Sequence, residues 1–570
     1  MTTHYRINHS SSYIVLSLLL TFGNLQAQER TVQDSINNVK YLPGVTTTYK
    51  VREKIGIGQG TTSVDGVRSI VSPLGEGDPI KWVQNMPGVT TGADGTSAFY
   101  VRGGNMGNNL FSLDGVPVYG YSHLLGMTTI VSQSVMQDVT LSKGGFDGNE
   151  NNFTSAHINV ESKTAAEAAG TSVSLNTFLL SAYKEGRIAE DLSYIASARI
   201  SPLTWEYRAI RNALPDKLGS LDDFSAGVGD LYGKLHWDIN GGDWLEASVL
   251  GSIDNYSFSR EENSDEQMGW GNVIAMLRWH KEDEQTETNA YASFNYYSTI
   301  QKQDKMFRGE MNHLSLQSGL AEFTADADRK LHRTDRLDIS YGLKARYSKF
   351  QPGNVSSVKN SADVFLVNAF LQCDYSIPEC FDFKAFVRSN GFDNMKDNSF
   401  RFDPEAGLSA KLSLGRHFAI AGTIDRLVQF YHTLEGMPVG WSIDMLVPSG
   451  KKVVPEKSLQ ESIDLSFSQG RHHVSVGGFY KMLDDIVYYK YAENLFSGGM
   501  AAWEEDVAQG KGTSYGFELL YAYQYKDVYA RASYTWSKTD RSAFDDVNDG
   551  KPFNARFDRR HVMNIMLQWK

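Results

Sequence analysis

The sequence predicts a mainly β protein in which a small domain of short strands precedes a long series of antiparallel strands. Aromatic residues are 12% of the 570 residues, and the 51 Gly far outnumber the 14 Pro. Beyond about residue 170, runs of about ten residues alternate apolar and polar side chains between turns. These observations fit a large soluble all-β protein. They also fit a membrane β-barrel, which hydropathy does not reveal because only every second residue faces lipid.

Residues 1–27 predict a secretory signal peptide. Arg6 precedes an apolar core from Tyr13 to Leu20, and Leu25-Gln26-Ala27 supplies a cleavage site. The apolar core is too short to span a membrane as a mature helix, and no later apolar run is long enough to do so. Residue 28 is Gln and not Cys, so no lipoprotein anchor is indicated. Export argues against a cytoplasmic enzyme.

Residues 28–65 are polar and weakly patterned, which predicts a flexible lead before the first domain. The segment IGIGQG at 55–60 is rich in Gly, but no Lys-Ser or Lys-Thr pair follows it and no βαβ pattern surrounds it. A phosphate-binding loop is therefore excluded.

Residues 66–165 predict a small α+β domain. Short β-prone runs alternate with Gly, Asn and Asp, which is the pattern of short strands joined by tight turns. The amphipathic run from Pro79 to Met86 predicts a short helix with Pro in its first turn. Asp114-Gly115, followed by Val-Pro, predicts a turn. Arg102 ends a β-prone run before two glycines, and from the residues alone it fits equally an exposed turn and a contact with a carboxylate.

Five motifs in this domain occur in the order MPGV, FYVRGG, LDGVPV, VTLSKGGF and INVESK, between residues 86 and 163. This order resembles the plug domain of TonB-dependent outer-membrane receptors. The resemblance implies a transmembrane antiparallel β-barrel of about 22 strands that encloses the plug. It also implies an outer-membrane location and contacts between plug and barrel, which we expect at Arg102, Gly103, Gly104, Asp114, Gly115 and Lys143. The family usually carries a YGG-like turn before the INV strand, and its close glycine packing is not expected in the corresponding segment 146–157.

Residues 166–570 are then the barrel. In the run 340–348, Tyr341 and Leu343 fall on one face, whereas Lys344 and Arg346 fall on the other. Period-two alternation with charge on the second face suits a barrel with an aqueous lumen. A soluble barrel alternates too, so the resemblance of the preceding domain to a plug decides between them. Short turns are expected at 238–243 and 413–417, and longer loops at 204–226, 257–270, 350–362, 390–401 and 488–511.

The strand count is roughly 18, below the number typical of plugged transporter barrels. The alternating run 563–569 stops at Lys570, whereas the family typically ends on an aromatic residue. The segment DRRH at 558–561 resembles a family motif that precedes several further strands. We therefore expect that the barrel lacks about four C-terminal strands.

The resemblance also implies binding sites. In the family, a segment before the plug pairs with TonB by strand addition. Glu29, Thr31 and Val32, or the segment 46–51, are candidates, although an ordinary flexible lead explains either segment as well. Plug loops that face the ligand are expected at Asn105, Asn108, Asn109, Tyr119, Tyr121 and His123. Their amide and aromatic groups suit a sugar, a peptide or a chelate equally.

Other site chemistry is sparse. Cys373 and Cys380 flank Pro378 across an expected turn and could form a disulfide in an oxidising compartment. The 13 His show no HExxH or Cys/His ligand spacing, so no metal site is predicted. The segment GYSHLLG lacks the GxSxG elbow, and no catalytic triad is indicated. The formal net charge of −12 argues against nucleic acid as a partner.

The predicted function is TonB-dependent active import of a scarce nutrient across the outer membrane. Energy comes from the TonB–ExbB–ExbD complex, so no cofactor is expected. Outer-membrane lipid and a small-molecule, glycan or peptide ligand are the other expected partners, and some relatives add a surface lipoprotein lid. The alternative is a surface-binding barrel or degenerate receptor remnant that does not transport. A barrel enzyme is a third class, and the plug argues against it.

Overall fold

The computed structural model describes residues 54–55, 58–63, 66–67, 70, 76–92, 95–165, 169–214, 221–260, 264–307, 310–353, 361–434, 444–490, 503–526 and 528–569. The predicted signal peptide and the TonB-pairing candidates Glu29, Thr31, Val32 and 46–51 lie outside these ranges. Within them, no helix is both long enough and apolar enough to cross a membrane.

The N-terminal part forms a six-stranded mixed sheet in the order β1-β2-β9-β10-β5-β6, with two small hairpins, β3–β4 and β7–β8, beside it. The pair β5–β10 is parallel, and the other pairs of this sheet are antiparallel. Strands β1 and β2 fall within the predicted lead. The elements are β1 (Lys54–Ile55), β2 (Gln59–Ser63), α1 (Pro79–Gln84), β3 (Val89–Thr91), β4 (Phe99–Val101), β5 (Leu110–Leu113), β6 (Val116–Pro117), β7 (Ser122–His123), β8 (Thr128–Thr129), β9 (Met136–Ser142) and β10 (His157–Ser162).

Helix α1 is the short helix that the sequence predicts, and it ends at Gln84. Asp78 is its N-cap, because Oδ1 accepts from the backbone N–H groups of Ile80 (2.8 Å) and Lys81 (3.2 Å), and Pro79 occupies the first turn. The other Asp78 oxygen accepts from Thr129 N at 2.7 Å. One carboxylate thus starts the helix and fixes it to β8, and every residue of the helix is buried.

The predicted turn at Asp114-Gly115 is confirmed as the two-residue connection between β5 and β6. Both residues have positive φ, 51° and 78°, which is the backbone of a type I′ hairpin turn. The Asp114 carboxylate also accepts from Ser162 N and Ser162 Oγ, both at 2.7 Å. The turn is therefore held against the end of β10.

The described residues from Gly170 onward form a 19-stranded sheet that is antiparallel throughout, with successive strands adjacent except that β26 follows β23, and they also form a separate pair, β24–β25. The expectation that further strands follow Lys570 stays a prediction. The elements are β11 (Gly170–Leu175), β12 (Leu180–Arg187), β13 (Leu192–Ile200), α2 (Leu203–Ala213), β14 (Leu221–Asn240), β15 (Asp243–Arg260), β16 (Ser264–Glu282), β17 (Thr286–Phe307), β18 (Glu310–Thr334), β19 (Leu337–Gln351), β20 (Ala362–Ile377), β21 (Phe381–Asn394), β22 (Ser399–Leu414), β23 (Phe418–Gln429), β24 (Tyr431–Leu434), β25 (Met445–Pro448), β26 (Glu456–Gln469), β27 (His472–Tyr489), β28 (Val507–Tyr525), β29 (Val528–Ser542), β30 (Phe553–Asn554) and β31 (His561–Trp569).

The two faces of this sheet follow the alternation of the sequence. Leu343 is 55% exposed and Tyr341 is also exposed on the outer face, whereas Arg346 is buried on the inner face, where it lies beside Glu322. Charged and polar side chains line the interior, and apolar side chains cover the exterior. The predicted assignment of faces is confirmed, and it is the arrangement that a membrane barrel requires.

Short turns lie at one end of the sheet and longer connections at the other. The turns predicted at 238–243 and 413–417 are confirmed, because β14 passes into β15 and β22 into β23 there. The loop predicted at 257–270 is wrong. β15 continues to Arg260 and β16 begins at Ser264, so most of that segment is paired strand.

Cys373 and Cys380 are free thiols, so the predicted disulfide is not formed. Cys373 lies within β20, and its cross-strand partner is Ala385. Cys380 lies at the tip of the β20–β21 hairpin, several residues away along the strands. At about 3.3 Å per residue, the separation exceeds the reach of a disulfide.

The chain leaves the wall after β23 and folds inward. Strands β24 and β25 pair as a separate hairpin, from Tyr431↔Pro448 to Leu434↔Met445. The Tyr431 hydroxyl lies 2.7 Å from Ser348 Oγ on the inner face of β19, and Tyr297 of β17 donates to Asp444 O at 3.0 Å. We call this segment the inner hairpin.

Candidate functional site

A buried ion cluster joins the N-terminal domain to the wall at β28. Arg102 Nε donates to Glu518 Oε1 at 2.8 Å, and Arg102 Nη2 donates to Oε2 at 3.2 Å. Lys143 Nζ donates to the same Oε2 at 2.9 Å and to Pro87 O at 2.6 Å. All three charged side chains are buried. One wall carboxylate therefore holds two cations from different loops of the domain.

Glycines allow this close approach. Gly103 has φ of 77°, and a Cβ there would lie 2.4 Å from Ser514 of β28. Gly88 has φ of 75°, and a Cβ there would lie 2.0 Å from Glu518 Oε1. Gly104 packs against Ser155 within the domain, where a Cβ would come within 2.4 Å of Oγ. The backbone therefore reaches the wall at positions where a side chain would collide with it.

The cluster contains two basic side chains, Arg102 and Lys143, but only one carboxylate, Glu518. Burial lowers the pKa of Lys143 to about 8, because the nearby Glu518 carboxylate offsets only part of the cost of removing an ammonium group from water. The Arg102 guanidinium also lowers the pKa of Lys143. The cluster is thus stable only while Glu518 stays charged between the two cations.

A second cluster surrounds His123, which is completely buried. His123 Nδ1 contacts Asp254 of β15, and Nε2 lies 3.2 Å from Asp230 of β14. Asp230 also accepts from Arg199 Nε at 2.7 Å. Burial by itself lowers the pKa of His123, but the carboxylates of Asp254 and Asp230 outweigh burial and raise the pKa to about 9. His123 is therefore an imidazolium clamped by the wall, and this corrects its assignment as a ligand-facing residue.

The predicted ligand-facing segment from Asn105 to Asn109 is covered. Asn108 Nδ2 donates to Glu456 Oε2 at 2.8 Å and to Gln429 Oε1 at 3.2 Å. Gln429 Nε2 donates to Gly107 O at 2.7 Å, and Gly107 packs against Thr433 of the inner hairpin. The amides that sequence analysis assigned to a ligand bond to the protein itself.

The remaining predicted positions also lie between domain and wall. Asn105 Oδ1 accepts from Arg541 Nη2 at 3.0 Å, and Asn109 Nδ2 bonds to backbone carbonyls of its own turn. The Tyr119 hydroxyl lies 3.3 Å from Glu322 Oε2, and the Tyr121 ring stacks on Phe111. These four side chains are half-buried, and each makes contacts within the protein.

Asp114 and Gly115 contribute less to the wall contact than the Arg102 turn does. The Asp114 carbonyl accepts from Arg278 of β16. Gly115 is exposed, and its backbone N–H donates to Asn159 Oδ1 at 3.0 Å within the domain. The turn touches the wall through one backbone oxygen.

Sequence reasoning missed the segment 146–157 as a major wall contact. Gly148 N donates to Gln372 Oε1 at 2.7 Å, and Arg388 Nη1 donates to Gly148 O at 2.9 Å. Asn151 Nδ2 donates to Asn368 Oδ1 at 2.7 Å. A Cβ on Gly148 would lie 2.5 Å from the Phe370 ring, so close glycine packing is present after all. The density of Asn, Asp and Gly in this segment was the available signal.

A cavity of about 1280 Å³ lies between β2 and the wall at the end with the short turns. Gly58, Gln59 and Thr61 line it on the domain side. Charged side chains from the opposing strands and turns line the other side, among them Lys384, Lys411, Arg416, Asp464 and Arg471. Its mixed lining selects no single ligand chemistry. Among the described residues, no group of three or more His, Cys, Asp or Glu side chains is placed to hold a metal ion.

A domain that fills the lumen of a large antiparallel barrel, held there by buried ion pairs, is the geometry of a plugged transporter. A family model described as TonB dependent receptor-like, beta-barrel matches residues 145–570. The chain belongs to the TonB-dependent receptors. The N-terminal domain is accordingly its plug, and the receptor resides in the outer membrane.

Solved structures agree on the fold. The outer membrane transporter YddB from Escherichia coli matches with a TM-score of 0.65 and 10% identity, over 91% of this chain and 86% of that one. The copper transporter OprC matches with 0.62 and 13%, over 88% and 81%. The siderophore receptor PirA from Pseudomonas aeruginosa matches with 0.61 and 13%, over 86% and 88%. The comparison with curated proteins found no match.

Proposed function

We propose that the receptor imports a small-molecule ligand across the outer membrane in a TonB-dependent manner. The observation that carries this proposal is the plug itself, which closes the lumen through the Glu518 and His123 clusters and the Asn108 contacts. Members of the family are transporters that work with TonB–ExbB–ExbD. Relatives of the same fold are described as siderophore receptors and as a copper transporter.

The plug sheet supplies an element that a pull on the lead would reach first. β2 lies at the C-terminal end of the predicted lead, and it pairs with β9 through five residue pairs, from Gln59↔Ser142 to Ser63↔Asp138. Its other neighbour is the two-residue strand β1. In the proposed mechanism, force on the lead strips β1 and β2 from the sheet edge. The cavity of about 1280 Å³ beside β2 then widens into an exit path.

The ion clusters would keep the rest of the plug in place during this step. Glu518 anchors the loops that carry Arg102 and Lys143, and Asp254 and Asp230 anchor His123 on other strands. Neither cluster includes a residue of β1 or β2. The proposed motion therefore removes one sheet edge while two buried anchors hold the remaining plug.

A reversible disulfide tests this motion. The hydroxyls of Thr61 on β2 and Thr140 on β9 lie 3.3 Å apart, so Thr61→Cys with Thr140→Cys should form a crosslink that fixes β2 to the sheet. Cells would be given iron-55 enterobactin and copper-64 ions in parallel. We expect uptake of a transported probe to stop when the pair is oxidised and to return on reduction. Each single Cys variant is the control.

A deletion separates import from simple binding. Removing residues 28–50 should abolish uptake while surface binding of the same probe is retained. Uptake that survives both the deletion and the oxidised crosslink would overturn the proposal. Binding without uptake in the unmodified receptor would instead support the alternative, a surface-binding barrel that does not transport.

A further inference from the structure

The outer face of the wall carries a depression of about 580 Å³ across β20 to β23. Strand register places the outward-facing residues of its lining in two adjacent rows. One row is Leu371, Val387, Ala406 and Arg426, and the neighbouring row is Ala369, Ser389 and Pro404. We call this feature the outer groove.

Small side chains make the groove, and larger ones bound it. Ala369, Ser389 and Ala406 extend little from the sheet. Phe402 in the next row on one side is 63% exposed, and Leu408 in the next row on the other side is 42% exposed. Between these rims, Val387 is 57% exposed and forms part of an apolar floor. The groove is thus an open apolar channel on the lipid-facing surface.

The sheet is split beside this groove. Pairing between β22 and β23 runs from Leu414↔Phe418 to Ala406↔Arg426 and stops there, two residues from Pro404. Proline has no backbone N–H to donate to a ladder. Side chains replace the missing ladder, because Arg426 donates to Pro404 O and Glu405 Oε1 accepts from Val428 N at 2.8 Å.

Arg426 is a cation on an apolar surface. Its neighbour Asp425 points inward and accepts from Gly145 N of the plug, so alternation directs Arg426 outward beside the exposed Ile424. Among the described residues, Arg426 has no carboxylate within ion-pair distance, and its hydrogen bond is to the Pro404 carbonyl. Glu405 on the adjacent strand β22 points inward, and its Oε2 lies 2.7 Å from Arg388 Nε. A cation on the lipid face of a barrel costs roughly 2–4 kcal/mol at the midplane and less towards the interface, so an external anion would stabilise it.

The position of Arg426 points to the outer leaflet. β23 begins at Phe418, beside the short turn at the periplasmic end, and ends at Gln429. Arg426 is close to the extracellular end of that strand. An anion there belongs to the headgroup region of the outer leaflet, and the apolar groove beside it suits an acyl chain.

We propose that the outer groove binds one phosphorylated outer-leaflet lipid, with an acyl chain along the two rows and a phosphate on Arg426. The site holds a structural lipid at the split in the wall. It is separate from the transport path, because the side chains of both rows face away from the lumen.

The test is native mass spectrometry of the intact receptor, purified in mild detergent and titrated with lipid A. Arg426→Gln keeps a donor for Pro404 O but removes the charge, and Ala406→Phe fills the groove. Ser389→Phe fills the second row at a distance from the split, in case Ala406→Phe does not fold. Ala530→Phe adds the same bulk to the outer face of β29 and is the matched control.

We expect one lipid A to remain on the wild type and on Ala530→Phe. Loss of the phosphate contact should weaken retention about fivefold in Arg426→Gln, and the Phe variants in the groove should lose the bound lipid. Lipid A from which the phosphates have been removed should bind the wild type no better than it binds Arg426→Gln. Equal retention by all folded variants, or equal loss in Ala530→Phe, would show a general lipid annulus and overturn the proposal.

Discussion

Replacing Glu518 with Gln should loosen the plug from the wall. Glu518 accepts three hydrogen bonds from two buried cations, at 2.8, 3.2 and 2.9 Å. Gln preserves the volume but leaves Arg102 and Lys143 buried without an anion. Breaking a buried ion pair by removing one partner costs about 3–5 kcal/mol. Local opening of this interface should therefore become roughly 10² to 4 × 10³ times more frequent.

Hydrogen–deuterium exchange of the detergent-solubilised receptor measures this opening. Peptides covering 99–104 and 137–145 should exchange faster by that factor, whereas peptides from β14 to β16 should not change. Asp338→Asn is the matched control, because Asp338 pairs with Lys330 and His332 within the wall. If 99–104 exchanges at the wild-type rate in Glu518→Gln, the cluster does not hold the plug.

The pH dependence gives a second check on the same variant. The docked pKa of Lys143 is lowered from 10.5 to about 8. Between pH 8 and 10.5, Lys143 is protonated when the plug is undocked and deprotonated when the plug is docked. Docking therefore releases a proton, and the contribution of Lys143 to docking becomes more favourable as the pH rises from about 8 towards 10.5. Without Glu518 the docked pKa falls further and the window extends to lower pH. In Glu518→Gln, part of the lost protection against hydrogen exchange should then return in alkaline buffer. Adding Lys143→Met to this variant should abolish the pH-dependent recovery.

Three further predictions concern the other contacts. His123→Asn should speed hydrogen exchange over residues 119–129, and the effect should be largest below pH 6.5. The difference from wild type should vanish above about pH 9. The reason is that the pKa of His123 is raised from 6.5 to about 9, so His123 stabilises plug docking only while its imidazole is protonated. Gly88→Ala should prevent stable docking of the plug in the same exchange assay, since its Cβ would collide with Glu518. Gly95 also has a positive φ but lies in open space, so Gly95→Ala should lower the stability of the protein by only about 1 kcal/mol. Gln429 Nε2 donates to Tyr431 O of the inner hairpin and to Gly107 O of the plug, both at 2.7 Å, so Gln429→Leu should expose the inner hairpin to limited proteolysis at unchanged barrel stability. Equal cleavage in both proteins would contradict the role of Gln429 as a tether.

Local sequence rules predicted the features that depend on local periodicity. Alternation at 340–348 places Leu343 and Lys344 on opposite faces because a strand repeats every two residues. Asp114-Gly115 specifies its own turn through positive φ. These features need no knowledge of distant partners, and the structure has them as predicted.

Features that depend on distant partners were not predictable from the residues. Glu518 lies 416 positions from Arg102, so nothing local identifies it as the partner. An amide such as that of Asn108 can bond to a ligand or to a carboxylate such as Glu456. Which of the two it meets depends on the path that the chain takes through the inner hairpin. Tertiary packing, and not local propensity, therefore sets which loops are exposed.

The inner hairpin has a thermodynamic consequence for any solute that must touch Asn108 or Gly107. Such a solute binds only the fraction of molecules in which the hairpin is displaced, so its apparent dissociation constant equals the intrinsic constant divided by that fraction. A loosened hairpin would raise the measured affinity without adding a single contact. The same change would leave Asn108 and Gly107 covered for less of the time, so the affinity for such a solute and the shielding of this plug segment both depend on one short β-hairpin.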